Sequence, residues 1–536
     1  MTSCAARRLE CPFVPKRCFQ PLNVMLIGEI LAGNARRYPE RLAWSFEGSA
    51  WTWREASERV NRFANALAAT GLQPQDRVAF LSENSHRLAE IYFALSKAGL
   101  VAVPINSRSV AREINYVLKE VGARALLVSA NLESRLKGIT TDLSSCACVV
   151  GIGNGHGRPF DYEDMLAHAP AAEPAIDVPG SAIRAIKYTS GTTGAPKGVI
   201  STHYQYFLST LNYLLHSPFT EDDRCVLALP MSAGVGIQML TAYAYRTCWT
   251  AILPRFDAGA VLDTIERERI TRLYVVPTML AAITNAQGAR PRDLSSLRMI
   301  EYAGGPAPLS LVRRAAQVLR VPLSQTYGSS ESGGQLAFLP PADHERLLRD
   351  SSARRSSESL PFGREMPGYH IRIVDDQGRE VSDGETGEML VKSESLMSGY
   401  WNQPALTAEA IRDGWLYTGD LVCRDAEGWL TILDRKRDTI ASGGFKVYSA
   451  EVEGVLGEHA AVREVAVIGE ADDYWGEVIV ACVVLNDGAV CDAAELARFC
   501  EQNLSGYKRP KRYRFVSELP KTSTGKVRKV ELREQR

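Results

Sequence analysis

The sequence lacks three features that would indicate particular classes of protein: a net charge, a long apolar run and paired cysteines. Lysine plus arginine and aspartate plus glutamate number 62 each, so no overall field attracts nucleic acid or an anionic membrane. No apolar run approaches the roughly 20 residues of a membrane-spanning helix, and the longest, residues 478–485, is predicted to be a buried strand. The eleven cysteines include no C-x-x-C pair, which predicts reduced thiols and a cytoplasmic protein.

The length and the periodicity of the chain indicate several α/β units. At 536 residues with 45% hydrophobic content, more than one domain is expected. Residues 1–21 lack the apolar core of a signal peptide and are predicted to be disordered. A helix is predicted at 56–69, a strand at 77–81, and helices and strands alternate to residue 128, which favours parallel sheets covered by helices. The polar, Ser/Arg-rich residues 340–360 are predicted to form an exposed loop.

The most informative segment is residues 188–199, YTSGTTGAPKGV. Its glycines allow the backbone to approach an anion, its hydroxyls can donate hydrogen bonds, and Lys197 adds a mobile positive charge. The G-x-x-x-x-G-K-[ST] pattern of other nucleotide-binding loops fails, because Gly198 stands where a hydroxyl should follow the lysine. A flexible surface loop remains the alternative on composition alone.

Five further segments follow in order: EYAGGPAPLS (301–310), QTYGSSE (325–331), GWLYTGD (414–420), DRKRDTIASGG (434–444) and PKTSTGKVRK (520–529). Together the six segments resemble the adenylate-forming superfamily, which includes acyl-CoA synthetases, luciferases and the adenylation domains of peptide synthetases. The resemblance implies a multidomain α/β fold, with a large N-terminal domain (22–434), a hinge (435–437) and a small mobile C-terminal domain (438–536). Arg437 stands where the family usually has aspartate or lysine.

The resemblance assigns the catalytic residues and the nucleotide site. Attack of a carboxylate on the α-phosphate of ATP creates negative charge that cations and oriented amides must offset. Lys526 is the implied catalytic lysine, assisted by Lys197 and Glu331, and Thr193 with Glu331 are implied to hold Mg²⁺. Asp420 and Arg435 are expected at the ribose, and Tyr327 at the adenine. The full set implied for ATP is Thr189, Ser190, Gly191, Thr192, Thr193, Gly194, Lys197, Gly304, Gly305, Pro306, Gln325, Thr326, Tyr327, Gly328, Ser329, Ser330, Asp420, Arg435 and Lys526.

Two further sets are implied for coenzyme A and for the acid. Gly443 and Gly444 are expected to line a thiol channel, and Trp475, Tyr507, Arg509 and Lys511 to hold the nucleotide end of coenzyme A. The acid pocket is assigned to Ala233, Gly234, Gly236, Ala303, Gly304, Gly328, Gly333 and Gly334. These small residues, with Ala233 where the family often has a histidine, predict a cavity for a bulky, mainly apolar acid. No basic side chain is predicted there, which disfavours dicarboxylic acids.

The resemblance therefore implies an ATP-dependent acyl-CoA ligase that proceeds through an acyl-AMP, using ATP, Mg²⁺ and coenzyme A as a monomer or homodimer. Two alternatives remain at this point: an adenylating enzyme that loads an acyl carrier protein, and a nucleotide sensor without ligase activity. Consumption of ATP that requires an acid would separate enzyme from sensor, and dependence on coenzyme A would separate ligase from carrier loader.

Overall fold

The structure is a computed structural model that describes residues 27–189, 196–305, 307–349, 360–472, 474–521 and 527–534. The expectation for residues 1–21 lies outside these ranges. The described helices are α1 (Ile27–Arg37), α2 (Trp53–Ala69), α3 (His86–Lys97), α4 (Ala111–Val121), α5 (Tyr162–His168), α6 (His203–His216), α7 (Gly234–Tyr245), α8 (Ala258–Glu268), α9 (Pro277–Ala289), α10 (Leu309–Leu319), α11 (Pro341–Arg349), α12 (Pro404–Ala410), α13 (Ser449–Gly457), α14 (Ala493–Asn503) and α15 (Lys529–Glu534), with short 3₁₀ turns at Ala130–Leu136, Leu143–Ser145 and Gly506–Lys508.

The strands are more numerous and mostly short. They are β1 (Leu42–Phe46), β2 (Ser49–Thr52), β3 (Arg77–Leu81), β4 (Val101–Ile105), β5 (Ala125–Ser129), β6 (Cys148–Ile152), β7 (Phe160–Asp161), β8 (Ile183–Thr189), β9 (Lys197–Thr202), β10 (Arg224–Leu227), β11 (Trp249–Ile252), β12 (Arg272–Val275), β13 (Met299–Tyr302), β14 (Leu323–Ser329), β15 (Gly334–Leu339), β16 (Arg364–Glu365), β17 (His370–Val374), β18 (Thr386–Lys392), β19 (Gly399–Tyr400), β20 (Ile411–Arg412), β21 (Trp415–Arg424), β22 (Leu430–Arg435), β23 (Ile440–Ser442), β24 (Phe445–Val447), β25 (Val462–Asp472), β26 (Gly476–Leu485) and β27 (Arg512–Phe515).

Two large sheets, each with a parallel centre, form the core of the first 400 residues. One has nine strands in the order β16-β15-β14-β13-β12-β10-β11-β1-β2, and the other has eight in the order β19-β9-β8-β4-β3-β5-β6-β7. Their central pairs are parallel, and antiparallel strands lie toward the edges. Helices connect and cover the parallel strands, so the predicted α/β class is confirmed.

Several predicted elements lie within the observed ones, because their apolar spacing matches their burial. The helix predicted at 56–69 is the greater part of α2, and its four apolar residues Val60, Phe63, Ala64 and Leu67 are fully buried. Thr52 caps this helix, since its side chain accepts a hydrogen bond from the amide of Glu55 and the Glu55 carboxylate accepts from Thr52. The strand at 478–485 is the buried part of β26.

The prediction of a loop over residues 340–360 is wrong for its first part, which forms α11. His344 is buried there and lies 3.0 Å from the hydroxyl of Tyr302, while Leu347 and Leu348 pack against the core. One apolar face is therefore enough to fix a helix in a segment whose average composition is polar. The Ser/Arg-rich residues 350–359 lie outside the described ranges.

Two smaller sheets complete the fold. One has the order β17-β18-β21-β20, with β22 added to β21, and the other, near the C-terminus, has the order β24-β23-β26-β25, with β27 added to β26. β23 and β24 are joined by Gly443 and Gly444 with φ of 57° and 81°, a two-residue turn that glycine adopts without strain. Among the residues that the structure describes, no helix combines the length and the apolar character needed to cross a bilayer.

Candidate functional site

The predicted phosphate loop connects the adjacent strands β8 and β9. Residues 190–195, and with them Ser190, Gly191, Thr192, Thr193 and Gly194, lie outside the described ranges. Thr189 pairs with Lys197, so the ends of the loop are held by an antiparallel strand pair. Glycine is required at position 198, next to Lys197, because a β-carbon there would lie 2.8 Å from Cγ2 of Ile186. The pair therefore fixes both ends of the loop on a rigid sheet.

Lys197 and Glu331, distant in sequence, meet at Tyr400. The Lys197 Nζ lies 5.2 Å from the centre of the Tyr400 ring, and the Tyr400 hydroxyl donates to the Glu331 carboxylate at 3.3 Å. Burial, reinforced by Glu331, raises the pKa of Tyr400. The Glu331 backbone is held by the amide of Met397 at 3.0 Å. The structure thus brings two predicted catalytic residues together through a tyrosine that sequence reasoning missed.

A second cluster joins Asp420, Arg435 and Tyr327. Asp420 and Arg435 face each other across β21 and β22, and their Oδ1 and Nε atoms lie 2.6 Å apart. The Tyr327 hydroxyl donates to the other carboxylate oxygen of Asp420. Burial raises the pKa of Tyr327, and the nearby Asp420 carboxylate adds to this effect. Asp420 is 2% exposed, so a largely buried carboxylate lies where a ribose was predicted.

Other residues predicted to contact ATP have different surroundings. Thr326 is buried and lies 2.9 Å from the Tyr274 hydroxyl, so it belongs to the sheet interior. Gln325 accepts a hydrogen bond from Tyr302, and Ser329 and Ser332 bond each other's backbone amides. A β-carbon on Gly305 would meet no atom within 4 Å, so this glycine borders open space, whereas Pro306 lies outside the described ranges.

Most glycines of the predicted acid pocket are explained by close packing and not by an enlarged cavity. A β-carbon on Gly236 would lie 2.3 Å from the Pro230 carbonyl oxygen, and one on Gly328 would lie 1.9 Å from the Gly334 oxygen. Gly333 would meet the Ser395 oxygen at 1.9 Å, and both Gly333 and Gly334 have positive φ. Close backbone packing therefore explains these glycines, and they are not evidence of an enlarged cavity.

The prediction that this pocket lacks a basic side chain is wrong. A β-carbon on Gly234 would lie 3.5 Å from Nζ of Lys187 and 3.8 Å from Oγ of Ser330. Lys187 comes from β8, where its neighbours in sequence are apolar and its direction could not be read from periodicity. Ala233 and Ala303, the other predicted pocket residues, lie at the start of α7 and just after β13.

Three of the four side chains predicted to hold coenzyme A lie on the face of the C-terminal region that surrounds the turn between β23 and β24. The Lys511 Nζ lies 5.3 Å from the Trp475 ring, and Tyr507 packs against Phe445 at 4.7 Å between ring centres. Gly443 donates to the Trp475 carbonyl, which joins the glycine turn to this face. Arg509, the fourth predicted side chain, donates its guanidinium hydrogen bonds to the Leu504 and Glu501 carbonyls at the end of α14.

Lys526 lies outside the described ranges, but both ends of its segment are fixed. Lys521 and Val527 form an antiparallel bridge on either side of residues 522–526. Just beyond, the Lys529 ammonium group binds Ser449 Oγ and Glu453 Oε1, each at 2.6 Å, and Ser449 donates to Asp434. This buried network connects the Lys526 segment to the end of β22.

An exposed ionic cluster spans the predicted hinge. The Asp376 carboxylate lies 3.2 Å from the ammonium of Lys436 and 3.0 Å from that of Lys446, and Lys436 also reaches Glu388 at 3.0 Å. Asp376 and Glu388 precede the hinge, whereas Lys446 follows it. The cluster therefore ties β24 to the region before β22.

Comparison with known proteins gives the family. The family model of AMP-binding enzymes matches residues 31–401, and the model of the AMP-binding enzyme C-terminal domain matches residues 451–526. An indoleacetate–CoA ligase of Aromatoleum aromaticum is 35% identical over 95% of this chain and 98% of its own. The fatty acid–[acyl-carrier-protein] ligase ScoC of Streptomyces coeruleorubidus is 32% identical, over 94% of this chain and 95% of its own.

A solved structure agrees over nearly the whole chain. The o-succinylbenzoate CoA synthetase of Bacillus subtilis, in complex with its acyl-adenylate intermediate, superposes with a TM-score of 0.83 at 30% identity, covering 95% of this chain and 98% of that one. The fold is therefore shared with an enzyme that binds an acyl adenylate as its intermediate. The chain belongs to the adenylate-forming superfamily of AMP-binding enzymes, and its place in that family is among the acid–thiol ligases.

Proposed function

We propose that this chain is an ATP-dependent acyl-CoA ligase that activates a bulky, mainly apolar carboxylic acid as an acyl-AMP and then transfers the acyl group to coenzyme A. The observation that carries the proposal is the pair of clusters around Glu331 and Asp420. One offers a cation and a carboxylate where phosphates are expected, and the other offers a buried carboxylate to the ribose.

The proposed roles follow the domains 22–434 and 438–536, joined by the hinge 435–437. Lys197 and the glycine loop bind phosphates, and Lys526 offsets charge at the α-phosphate. Glu331 and Thr193 would hold Mg²⁺, whose preferred ligands are carboxylate and hydroxyl oxygens. When bound, this ion would neutralise part of the phosphate charge. The aromatic face at Trp475 would receive coenzyme A.

The acid is proposed to be aromatic or otherwise bulky, because two relatives act on acids of that size and Gly305 borders open space. A second candidate function is the loading of a carrier protein, which the likeness to ScoC favours. The described cysteines are free thiols, which suits a reducing, cytoplasmic compartment.

A single incubation tests these functions. Purified protein is mixed with ATP, magnesium and acids from acetate to polycyclic carboxylates, with and without coenzyme A, and the products are identified by mass. Acyl-CoA from a bulky acid is the expected product. Acyl-AMP that persists in the presence of coenzyme A would favour a carrier protein as acceptor, and no adenylate from any acid would contradict ligase function.

Trp475→Ala is expected to raise the KM for coenzyme A about 5- to 100-fold and to leave acyl-AMP formation within twofold. The indole is 39% exposed and lies beside Lys511, and loss of stacking on a base typically costs about 1–3 kcal/mol. Steady-state kinetics with varied coenzyme A, and diphosphate release without it, measure the two effects. Trp475→Phe keeps an aromatic face and should retain most of the affinity; an equal loss in both variants would contradict stacking.

Asp376→Asn is expected to change the ratio of the two half-reaction rates about two- to fivefold. The variant removes the shared partner of Lys436 and Lys446, and exposed ion pairs have small, salt-dependent effects. The rates of diphosphate release and acyl-CoA formation are compared at low and high salt. Glu380→Gln, which removes an exposed pair with Arg372, is the control. Equal ratios in both variants at low salt would show that the cluster does not influence the domain orientation.

A further inference from the structure

Lys187 is a buried cation whose ammonium group faces the predicted acid pocket. It lies near the end of β8, three residues before Ser190, and is 9% exposed. Its Nζ would be 3.5 Å from a β-carbon on Gly234, the first residue of α7, and the same β-carbon would be 3.8 Å from Oγ of Ser330. The ammonium group therefore borders the small space between the start of α7 and Ser330.

Within the described part of the chain, no hydrogen bond or ion pair satisfies this ammonium group. Burial lowers the pKa of Lys187 to about 8, an effect that Arg184 reinforces and Glu331 opposes. The charged form therefore predominates at pH 7. The carboxylate of Glu331, whose negative charge favours the charged form of Lys187, already accepts a hydrogen bond from the Tyr400 hydroxyl.

A second cation increases the positive charge on this face of β8. Arg184 is 1% exposed, its guanidinium carbon lies 3.5 Å from the centre of the Tyr206 ring, and its Nε and Nη2 atoms have no hydrogen-bond partner among the described residues. Buried charges are costly unless they are paired. Two cations on one strand therefore make this space suitable for an anion supplied by a ligand.

We propose that the ammonium group of Lys187 binds the carboxylate of the acid substrate and positions it for attack on ATP. This inference rests on the proposed ligase function, whose substrate is an anion that must reach the phosphate loop. Ala233 and Gly234 leave the position beside Nζ free of large side chains. The phosphates have their own cation in Lys197, which lies at Tyr400.

The reaction predicts which kinetic constant Lys187 controls. A carboxylate oxygen forms a bond to the α-phosphorus, while the bond from that phosphorus to the oxygen bridging the β-phosphorus breaks and its electron pair leaves with diphosphate. The carboxylate loses its charge in this step. Lys187 therefore stabilises the bound acid more than it stabilises later states, and its loss should raise KM more than it lowers kcat.

The other anion that Lys187 could hold is the second acidic group of a dicarboxylic acid. The proximity of Ser330 favours the reacting carboxylate, because Ser330 adjoins Glu331 in the segment assigned to the phosphates. A second acidic group would instead lie away from that segment. Acids with one and with two carboxylates distinguish the two arrangements.

The test compares Lys187→Met with Lys97→Met. Both variants remove a buried ammonium group at similar side-chain volume, but Lys97 binds Asn61 and Glu173, away from the residues assigned to the pocket. Calorimetry measures binding of the tightest acid of the panel and of its primary amide, in the presence of an ATP analogue with a methylene bridge between the α- and β-phosphorus. Diphosphate release with ATP then gives KM and kcat for the same acid.

We expect Lys187→Met to weaken binding of the acid, and to raise its KM, about 10- to 100-fold, as for loss of a charge-assisted hydrogen bond. Binding of the amide should change less than twofold and kcat less than about fivefold, and Lys97→Met should leave the preference for acid over amide intact. The inference is overturned if Lys187→Met keeps the wild-type preference for acid over amide. It is also overturned if the loss of binding is confined to acids with two carboxylates.

The two proposals fail in different ways. A preference for the carboxylate that depends on Lys187, with no diphosphate released from ATP, would contradict the ligase and leave the binding role of Lys187 intact. Diphosphate release with the same KM in wild type and Lys187→Met would contradict the role of Lys187 and leave the ligase intact.

Discussion

Replacing Lys526 by alanine is expected to slow acyl-AMP formation by about 10² to 10³, comparable to the loss of one donor that stabilises a developing oxyanion. The motif TSTGKVRK resembles the segment in which the superfamily has its catalytic lysine, and the residues that flank it are held by the Lys521–Val527 bridge and the Lys529 network. Acid-dependent diphosphate release under single-turnover conditions measures the step. Transfer from preformed acyl-AMP to coenzyme A should be affected much less, because the resemblance assigns that step to the thiol channel at Gly443 and Gly444.

Lys521→Ala is the matched control for this prediction. Lys521 carries the same charge at the other end of the same segment, but its ammonium is paired with Glu464 at 2.7 Å on the protein surface. Its loss should change adenylation less than twofold. If the two variants were slowed equally, the effect would come from the positive charge of the segment as a whole, and the specific role of Lys526 would be refuted.

Sequence patterns predict a helix or strand correctly where the burial of its residues follows from the apolar spacing within that element. The bounds of β3 match the sequence prediction and α2 contains the predicted helix, because a short apolar run indicates a strand buried on both faces and 3.6-residue spacing indicates which face of a helix is covered. The sequence pattern does not predict helix α11, because the contacts that fix it are made with distant residues, such as the hydrogen bond and ring contact between His344 and Tyr302. Composition averaged over 340–360 therefore predicts the wrong structure for the nine residues 341–349.

In the candidate site, too, local motifs are informative and contacts between distant residues are not predicted. Asp420 and Arg435 were found from motifs, and the strand pairing of β21 with β22 explains why they meet. Tyr400 could not be found, because its contacts with Lys197 and Glu331 depend on the packing of strands far apart in sequence. Gly236 and Gly328 were misread for a related reason: a glycine in a sequence does not tell whether it faces a cavity or a neighbouring backbone.

Asp420→Asn is expected to lower kcat/KM for ATP about 100-fold and to destabilise the fold by about 1–3 kcal/mol. Asp420 is 2% exposed and is contacted by Arg435 and Tyr327, so loss of its charge weakens both the protein contacts and the expected bonds to the ribose hydroxyls. Hydrogen bonds to charged groups contribute about 1.5–3 kcal/mol each, and a buried donor left without its partner costs about 1–3 kcal/mol. Kinetics with varied ATP and urea unfolding without nucleotide measure the two effects separately.

Asp413→Asn tests whether this loss is specific to the Asp420 carboxylate. Asp413 lies in the exposed turn between β20 and β21 with φ of 51°, a conformation that asparagine also tolerates, so the same chemical change there should alter neither quantity appreciably. If Asp420→Asn lowered stability but left kcat/KM for ATP unchanged, the cluster would be a structural link between β14 and β21. A loss of about 100-fold in kcat/KM for ATP, in a variant that is still folded under the assay conditions, would instead identify Asp420 as a nucleotide contact.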